Sequence, residues 1–294
     1  MNFSAKFKKN ENYILHNGDC LELLKKIPEK SISLIITSPP YCMGKEYDKS
    51  CEIDYFISLH RKIFPEVIKV LKPGGSLCWQ VGFYVKNNSV IPLDYLIFDI
   101  LKDYTDLSLK NRIIWHYGHG LHNSKKFSGR HEVVLWFVKG KDDYTFNLDG
   151  VRIPQKYPGK TYYKGEKKGE YSGNPLGKNP SDIWDIPNVN ANHVEKTEHP
   201  CQFPVALIQR LVIALTNKND IILDPFMGSG SAGVAALVEK RKFIGFDNNK
   251  KYYKIAKKRC EEAATGRARF RAYDKPIMEP NQSMAVARKP ASFK

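Results

Sequence analysis

Short apolar runs alternate along this chain with amphipathic stretches of helical period, the pattern of strands that feed helices. Tyr13 to His16 is a short apolar run. It turns through Asn17-Gly18-Asp19 into Cys20-Leu21-Glu22-Leu23-Leu24, which predicts strand, turn and helix. Ser33 to Ile36 predicts the next strand, and Cys42 to Asp54 a polar loop. Tyr55 to Leu71 has helical spacing and is stopped by Lys72-Pro73-Gly74-Gly75. Ser76 to Val81 predicts a buried strand, and Ile91 to Leu101 a helix. Two strong β-runs follow, Arg112 to His116 and Glu132 to Val138, with no helix between them, which predicts a hairpin.

The pattern then breaks. From Gly140 to Glu198 helical periodicity disappears, and Pro, Gly, Asn, Tyr and Lys dominate. Arg152 to Lys178 holds seven Lys/Arg residues against two acids, interleaved with Tyr157, Tyr162, Tyr163 and Tyr171. A stretch this long without regular structure is functional or disordered. Basic side chains mixed with aromatics suit contacts to a nucleic-acid backbone and to base edges; a solvated insertion is the plainer reading. Alternation resumes with a helix over Phe203 to Leu215 and a strand over Asp220 to Leu223. A helix over Ala232 to Glu239, a strand over Phe243 to Phe246 and a helix over Lys250 to Ala263 complete it. Gly266 to Lys294 shows no core pattern and predicts a loosely attached tail.

Composition narrows the class. At 294 residues and 42% hydrophobic, the chain can bury a large α/β core. Forty-seven Lys+Arg against 31 Asp+Glu give +16, which points to a polyanionic partner. No run reaches the roughly 20 apolar residues of a membrane span, and the first ten residues lack a signal-peptide core. Cys20, Cys42, Cys51, Cys78, Cys201 and Cys260 have no metal-ligand spacing and predict reduced thiols in a cytoplasmic protein, with no metal site.

Two segments carry chemistry. After the strand ending at Ile36 come Thr37-Ser38-Pro39-Pro40-Tyr41. The prolines fix φ and remove N–H donors, so the run offers hydroxyls, carbonyls and a flat ring with a polar tip. Acceptors beside an aromatic face can grip the exocyclic amino group of an unstacked base. The second segment is Asp224-Pro225-Phe226-Met227-Gly228-Ser229-Gly230-Ser231-Ala232-Gly233, between a strand and a helix. Gly228, Gly230 and Gly233 match G-x-G-x-x-G, which a dinucleotide dehydrogenase also carries. Asp224 at the strand end disfavours a pyrophosphate and favours an ammonium. Asp247, ending the next strand, can accept from ribose hydroxyls, and Asp19 from an adenine amino group. Each aspartate taken alone also fits a turn or helix cap. An ammonium, a ribose and an adenine without phosphate describe S-adenosylmethionine.

Together these residues resemble the amino-group DNA methyltransferases in the permuted order called the β class, over roughly Tyr13 to Arg259. Asn17-Gly18-Asp19 is similar to the family's adenine-contacting segment, Thr37 to Tyr41 to its catalytic motif, and Leu71 to Gly75 to the loop before its fifth strand. His199-Pro200-Cys201-Gln202-Phe203-Pro204 is similar to the cover over the methionine part of the cofactor, Asp224 to Gly230 to the cofactor loop, and Asp247 to the ribose acid. The resemblance implies a Rossmann-like S-adenosylmethionine-dependent methyltransferase fold: α/β, mostly parallel with a β-hairpin, circularly permuted. It divides the chain into a catalytic half (1–140), a target-recognition insertion (141–198), a cofactor-binding half (199–263) and a basic tail (264–294).

The implied catalytic residues are Ser38, Pro39, Pro40 and Tyr41. The implied cofactor residues are Asp19, Thr37, Phe203, Asp224, Phe226, Gly228, Ser229, Gly230 and Asp247. The implied partner is double-stranded DNA, with a companion restriction endonuclease and a monomeric or homodimeric state as further expectations. Thr-Ser-Pro-Pro-Tyr is similar to the form associated with N4-cytosine enzymes, while N6-adenine enzymes more often have Asp or Asn in place of Ser38. Methylation of RNA or of a protein glutamine, and a non-catalytic DNA-binding regulator, are competing readings. Amino transfer needs no nucleophile, so Cys42, directly after the motif, is not expected to act covalently. Ser38 is a poor base, and no strong general base is expected beside it.

Overall fold

The computed structural model describes residues 6–41, 52–118, 120 and 122–277. Cys42 and most of the expected polar loop lie outside the described residues.

In chain order the elements are β1 (Tyr13–Asn17), α1 (Cys20–Leu24), β2 (Ile32–Thr37), α2 (Ile53–Val70), β3 (Leu71–Val81), β4 (Phe83–Lys86), β5 (Ser89–Pro92) and α3 (Leu93–Leu101). There follow β6 (Leu107–His116), β7 (His131–Lys139), β8 (Ile183–Asp185), α4 (Val205–Leu215), β9 (Ile221–Asp224), α5 (Ser231–Val238), β10 (Lys242–Asp247) and α6 (Lys250–Ala264). Eight strands form one sheet in the order β1-β10-β9-β2-β3-β7-β6-β8. The strands from β1 to β3 pair in parallel, and β7 runs antiparallel to both its neighbours.

Successive side chains of a strand face opposite ways, so a sheet covered on both faces buries both sets. On β2, Leu34 and Ile36 pack under α4, α5 and α6, while Ile32 and Ile35 pack under α1, α2 and α3. All six residues of β2 are buried. The result is a three-layer α/β/α sandwich. Its chain order is permuted: β9, late in sequence, lies directly beside β2. The ends of β2 and β9 therefore open side by side at the switch in strand order, where open α/β sheets build their sites.

Three features depart from the sequence reading. A small hairpin, β4–β5, precedes α3; Asn87 and Asn88 take positive φ at its tip (50° and 63°), a conformation asparagine tolerates. The insertion is not structureless throughout. β8 extends the sheet alongside β6, Trp115 Nε1 donates to Ile186 O at 2.7 Å, and Val151, Trp184 and Ile186 are buried in the core. Nor is the start of the tail loose. Tyr273 donates its hydroxyl to Gly150 O at 2.8 Å, and its ring and that of Trp184 flank the Arg210 guanidinium. Buried Glu195 ties these parts together, accepting from Val205 N (2.9 Å) and Arg271 N (3.1 Å) beside Arg259. The tyrosines of the central insertion, Tyr157, Tyr162, Tyr163 and Tyr171, are exposed, as a contact surface requires.

Candidate active site

A cavity of about 540 Å³ opens where β2, β9, β10 and β1 end. Ser38, Pro39, Pro40 and Tyr41 line one side. Gly18, Asp19, Phe226, Gly228, Ser229 and Asp247 line the other, with His199, Phe203 and Tyr252 over them. The fold thus gathers both motifs, 187 positions apart at Thr37 and Asp224, into one site.

The cofactor loop is built from backbone. Asp224 ends β9, and Phe226 N returns to its Oδ1 at 3.0 Å. Met227 N donates to Phe246 O at 2.8 Å, and Gly228 N to Asp247 Oδ2 at 3.0 Å, which lays the loop along β10. Gly228 has φ +48°, and a Cβ there would stand 2.9 Å from His199 Nε2. Gly230 has φ +77° and starts α5, where a Cβ would meet Ala256 at 2.9 Å. Gly230 therefore serves the packing of α5 on α6 and does not line the cavity. Ser229 reaches the cavity edge, but its hydroxyl is held by Arg259 Nη1 at 3.1 Å.

Two expected cofactor residues sit behind the wall instead. Thr37 and Asp224 are both wholly buried, and Thr37 Oγ1 donates to Asp224 Oδ1 at 2.6 Å. Neither lines the cavity. Asp224 Oδ2 has no hydrogen-bond partner among the described residues. Burial pushes the Asp224 carboxyl up to about 7, against the pull of Thr37 and Phe226 N. Asp247 does line the cavity. Burial lifts it to about 6, although Oδ1 accepts from Asn249 N at 2.7 Å and Oδ2 from Gly228 N. Asp19 combines both readings: Oδ1 caps α1 through Leu21 N (2.9 Å) and Glu22 N (3.2 Å), and the residue lines the cavity.

On the catalytic side, the polar tip of Tyr41 is engaged rather than open. Its hydroxyl lies 2.9 Å from Ser38 Oγ and 2.7 Å from Gln80 Oε1. Gln80 Nε2 in turn donates to Glu132 Oε2. Gln80 on β3 and Glu132 on β7 escaped the sequence reading. Burial raises the Glu132 carboxyl to about 7, with the Gln80 and Tyr41 hydrogen bonds opposing. This carboxyl is linked to Ser38 through Gln80 and Tyr41. The available signal was a glutamine inside the otherwise apolar run Leu77 to Val81, because a buried polar residue is the informative exception. Tyr55 and Leu59 of α2, and Asn248, Asn249 and Tyr252 around the start of α6, also line the cavity. His199 packs edge-on against Tyr252 with ring centroids 4.3 Å apart, and burial lowers it to about 4.

Comparison with known proteins finds DNA methyltransferases. The Type II methyltransferase M.BglII of Bacillus subtilis is 44% identical over 253 residues, covering 86% of this chain and 70% of the relative. The DNA adenine methyltransferase YhdJ of Escherichia coli K12 is 34% identical over 259 residues, covering 87% and 85%. The structure of TTHA0409 from Thermus thermophilus, solved with S-adenosyl-L-methionine, superposes with a TM-score of 0.60 at 25% identity, covering 86% of this chain and 96% of that one. The N6/N4 DNA methylase family model matches residues 32–258, a span that holds the Ser38–Tyr41 platform and the Asp224–Asp247 loop, and the chain belongs to that family.

Proposed function

We propose that this DNA methyltransferase moves the methyl group of S-adenosylmethionine to the exocyclic amino group of a base flipped out of duplex DNA, with N4 of cytosine as the target. The observation that carries the reading is the meeting of the Ser38–Tyr41 platform and the Gly228–Asp247 loop in one cavity, clamped from behind by Thr37 and Asp224.

The lining suits S-adenosylmethionine, the family's cofactor. Asp19 and Asp247 offer acceptors for adenine and ribose, Phe203 and Phe226 offer apolar faces, and Gly228 leaves room where a side chain would intrude. Asp224 acts on the cofactor's ammonium as a charge behind the loop. The bound cofactor supplies a methyl group on a sulfonium.

Tyr41 stacks on the flipped base, and Ser38 with the Pro39 carbonyl accepts from its amino group, turning the nitrogen lone pair toward the methyl. The N–C bond forms as the methyl's bond to sulfur breaks, the now cationic nitrogen sheds its extra proton to solvent, and catalysis rests on positioning and on fixed dipoles. Extruding the base costs a few kcal/mol, supplied by contacts to the duplex. The insertion's lysines and exposed tyrosines provide these, joined by Lys125, Lys126 and fully exposed Phe127 in the loop before β7.

Ser38 within Thr-Ser-Pro-Pro-Tyr supports cytosine. N6 of adenine is the second reading, favoured by the 34% identity to an enzyme named for adenine. A companion endonuclease is proposed because relatives bear Type II names. Labelled methyl transfer to duplex DNA, to RNA and to protein tests the substrate: the reading expects duplex DNA to dominate, and preference for RNA or protein overturns it.

A further inference from the structure

An amino group donates hydrogen bonds, so the residue that holds it must present lone pairs. A serine hydroxyl can present either a lone pair or its proton. What decides between them here lies three residues away along a hydrogen-bonded line.

Glu132 Oε2 is the inner end of that line. An ionised carboxylate only accepts, so the Gln80 atom against it is the amide NH2. The Gln80 carbonyl oxygen then faces Tyr41, and it too can only accept, at 2.7 Å. On the same side the Tyr41 hydroxyl approaches Gln80 O at 3.2 Å and Glu132 Oε2 at 3.5 Å, again acceptors. The Tyr41 proton therefore points toward β3 and β7. Its oxygen is left to accept, and the contact with Ser38 at 2.9 Å takes the Ser38 proton. The Ser38 lone pairs then face the cavity. The site is shaped for this carboxylate: Gly82 follows β3, and a Cβ there would crowd Glu132 Oε1 at 3.2 Å.

We infer that Glu132 is a positioning residue whose negative charge sets the direction of the chain Glu132–Gln80–Tyr41–Ser38 and so makes Ser38 an acceptor for the target amino group. The inference rests on the amino-methyltransferase reading. Glu132 touches neither cofactor nor base; it acts through Gln80 and Tyr41. Protonating it removes the charge that fixes the Gln80 amide, and the Ser38 proton is then free to turn toward the amino group.

Tyr41 and Tyr117 are the titratable groups facing Glu132 from neighbouring elements, with Arg130 and His131 just ahead of it on its own strand and loop. Burial, with Glu132 adding to it, holds the Tyr117 phenol up at about 12, so it stays neutral near pH 7. Glu132 itself titrates near 7. Loss of its proton with rising pH switches the chain into the acceptor direction, so turnover rises through that range.

The test uses the full chain, unmethylated duplex DNA and labelled S-adenosylmethionine, with kcat measured at saturation from pH 6 to 8. Glu132→Gln and Gln80→Leu should each lower kcat on the order of 10- to 100-fold, the scale of one preorganised contact. Cofactor Kd should stay within about twofold, which also reports folding. The wild-type acid limb near pH 7 should flatten in Glu132→Gln, although Asp224 and Asp247 still titrate there. The double variant should be no worse than Gln80→Leu alone, since the residues act as one chain. Wild-type kcat in both variants, an acid limb in Glu132→Gln as steep as that of the wild type, or fully additive losses would overturn the inference. If the wild-type chain transfers no methyl to DNA, the functional reading fails first; if it does and the variants match it, only the chain fails.

Discussion

Asp224 and Glu132 are carboxyls that burial raises to about 7, one behind the cofactor loop and the other behind the Ser38–Tyr41 platform. Their surroundings differ. Asp224 is held by a backbone N–H of its own loop and by Thr37 on the adjacent strand, and it is wholly buried. Glu132 is partly exposed and is held through side chains from β3 and from the run after β2. The cofactor side is thus a loop anchored largely through its own backbone N–H groups, while the base side is assembled across strands by side chains. Damage to the second should slow chemistry and leave the cofactor in place; damage to the first should cost both stability and binding.

The largest break in this comparison is Tyr41→Ala. It removes the stacking ring and the middle of the hydrogen-bond line together. Single-turnover transfer should fall at least about 100-fold, with cofactor affinity by calorimetry within about threefold. A parallel loss of cofactor binding would show that the two sides are not separable.

Thr37→Val strikes the other side. It keeps shape but leaves the buried Asp224 Oδ1 with only Phe226 N, so urea denaturation should show a loss of about 1–3 kcal/mol. Cofactor binding should weaken with it, because the bond that lowers the Asp224 carboxyl is gone and more of it is protonated at neutral pH.

The pH dependence sharpens the same contrast. Asp224 and Asp247 titrate in the folded chain at about 7 and about 6, above their ordinary 3.8. Between those values the folded state binds protons that the unfolded state has released, so their contribution to the stability of the cofactor-free chain declines as pH rises from about 4 to about 7. Cofactor binding should run the opposite way, since it needs the carboxylates. Denaturation and binding curves at pH 5.5 and 7.5 should therefore show these trends in opposite directions.

The smallest effect belongs to the insertion. Replacing Lys164, Lys167 and Lys168 with Ala should weaken DNA binding several-fold. Its salt dependence should fall by about 0.9 in slope for each phosphate no longer neutralised. kcat at saturating DNA should not change. An unaltered salt slope would remove these lysines from the DNA interface.

The same contrast explains what the sequence made legible. Thr37 to Tyr41 and Asp224 to Gly230 are contiguous, and each carries its own turn chemistry, so both could be placed at strand ends before any pairing was known. Gln80 and Glu132 meet only because β3 pairs with β7, with Gln80 opposite Val134 in the register. No local pattern marks Glu132, the first polar residue before an apolar run. Asp224 and Thr37 were identified, but that both turn behind the wall and onto each other depends on how β2 lies against β9. The paired asparagines of the β4–β5 turn did carry a hairpin signal. The docking of Phe270 and Tyr273 did not, because isolated aromatics without periodicity do not reveal the face they cover.

The most direct test of the central claim is to methylate unmodified duplex DNA with the purified chain, digest it to nucleosides and identify the methylated one. N4-methylcytosine as the sole product is the predicted result. N6-methyladenine would retain the amino-transfer chemistry and overturn the choice of base. 5-Methylcytosine, or no methyl group in DNA, would contradict the account.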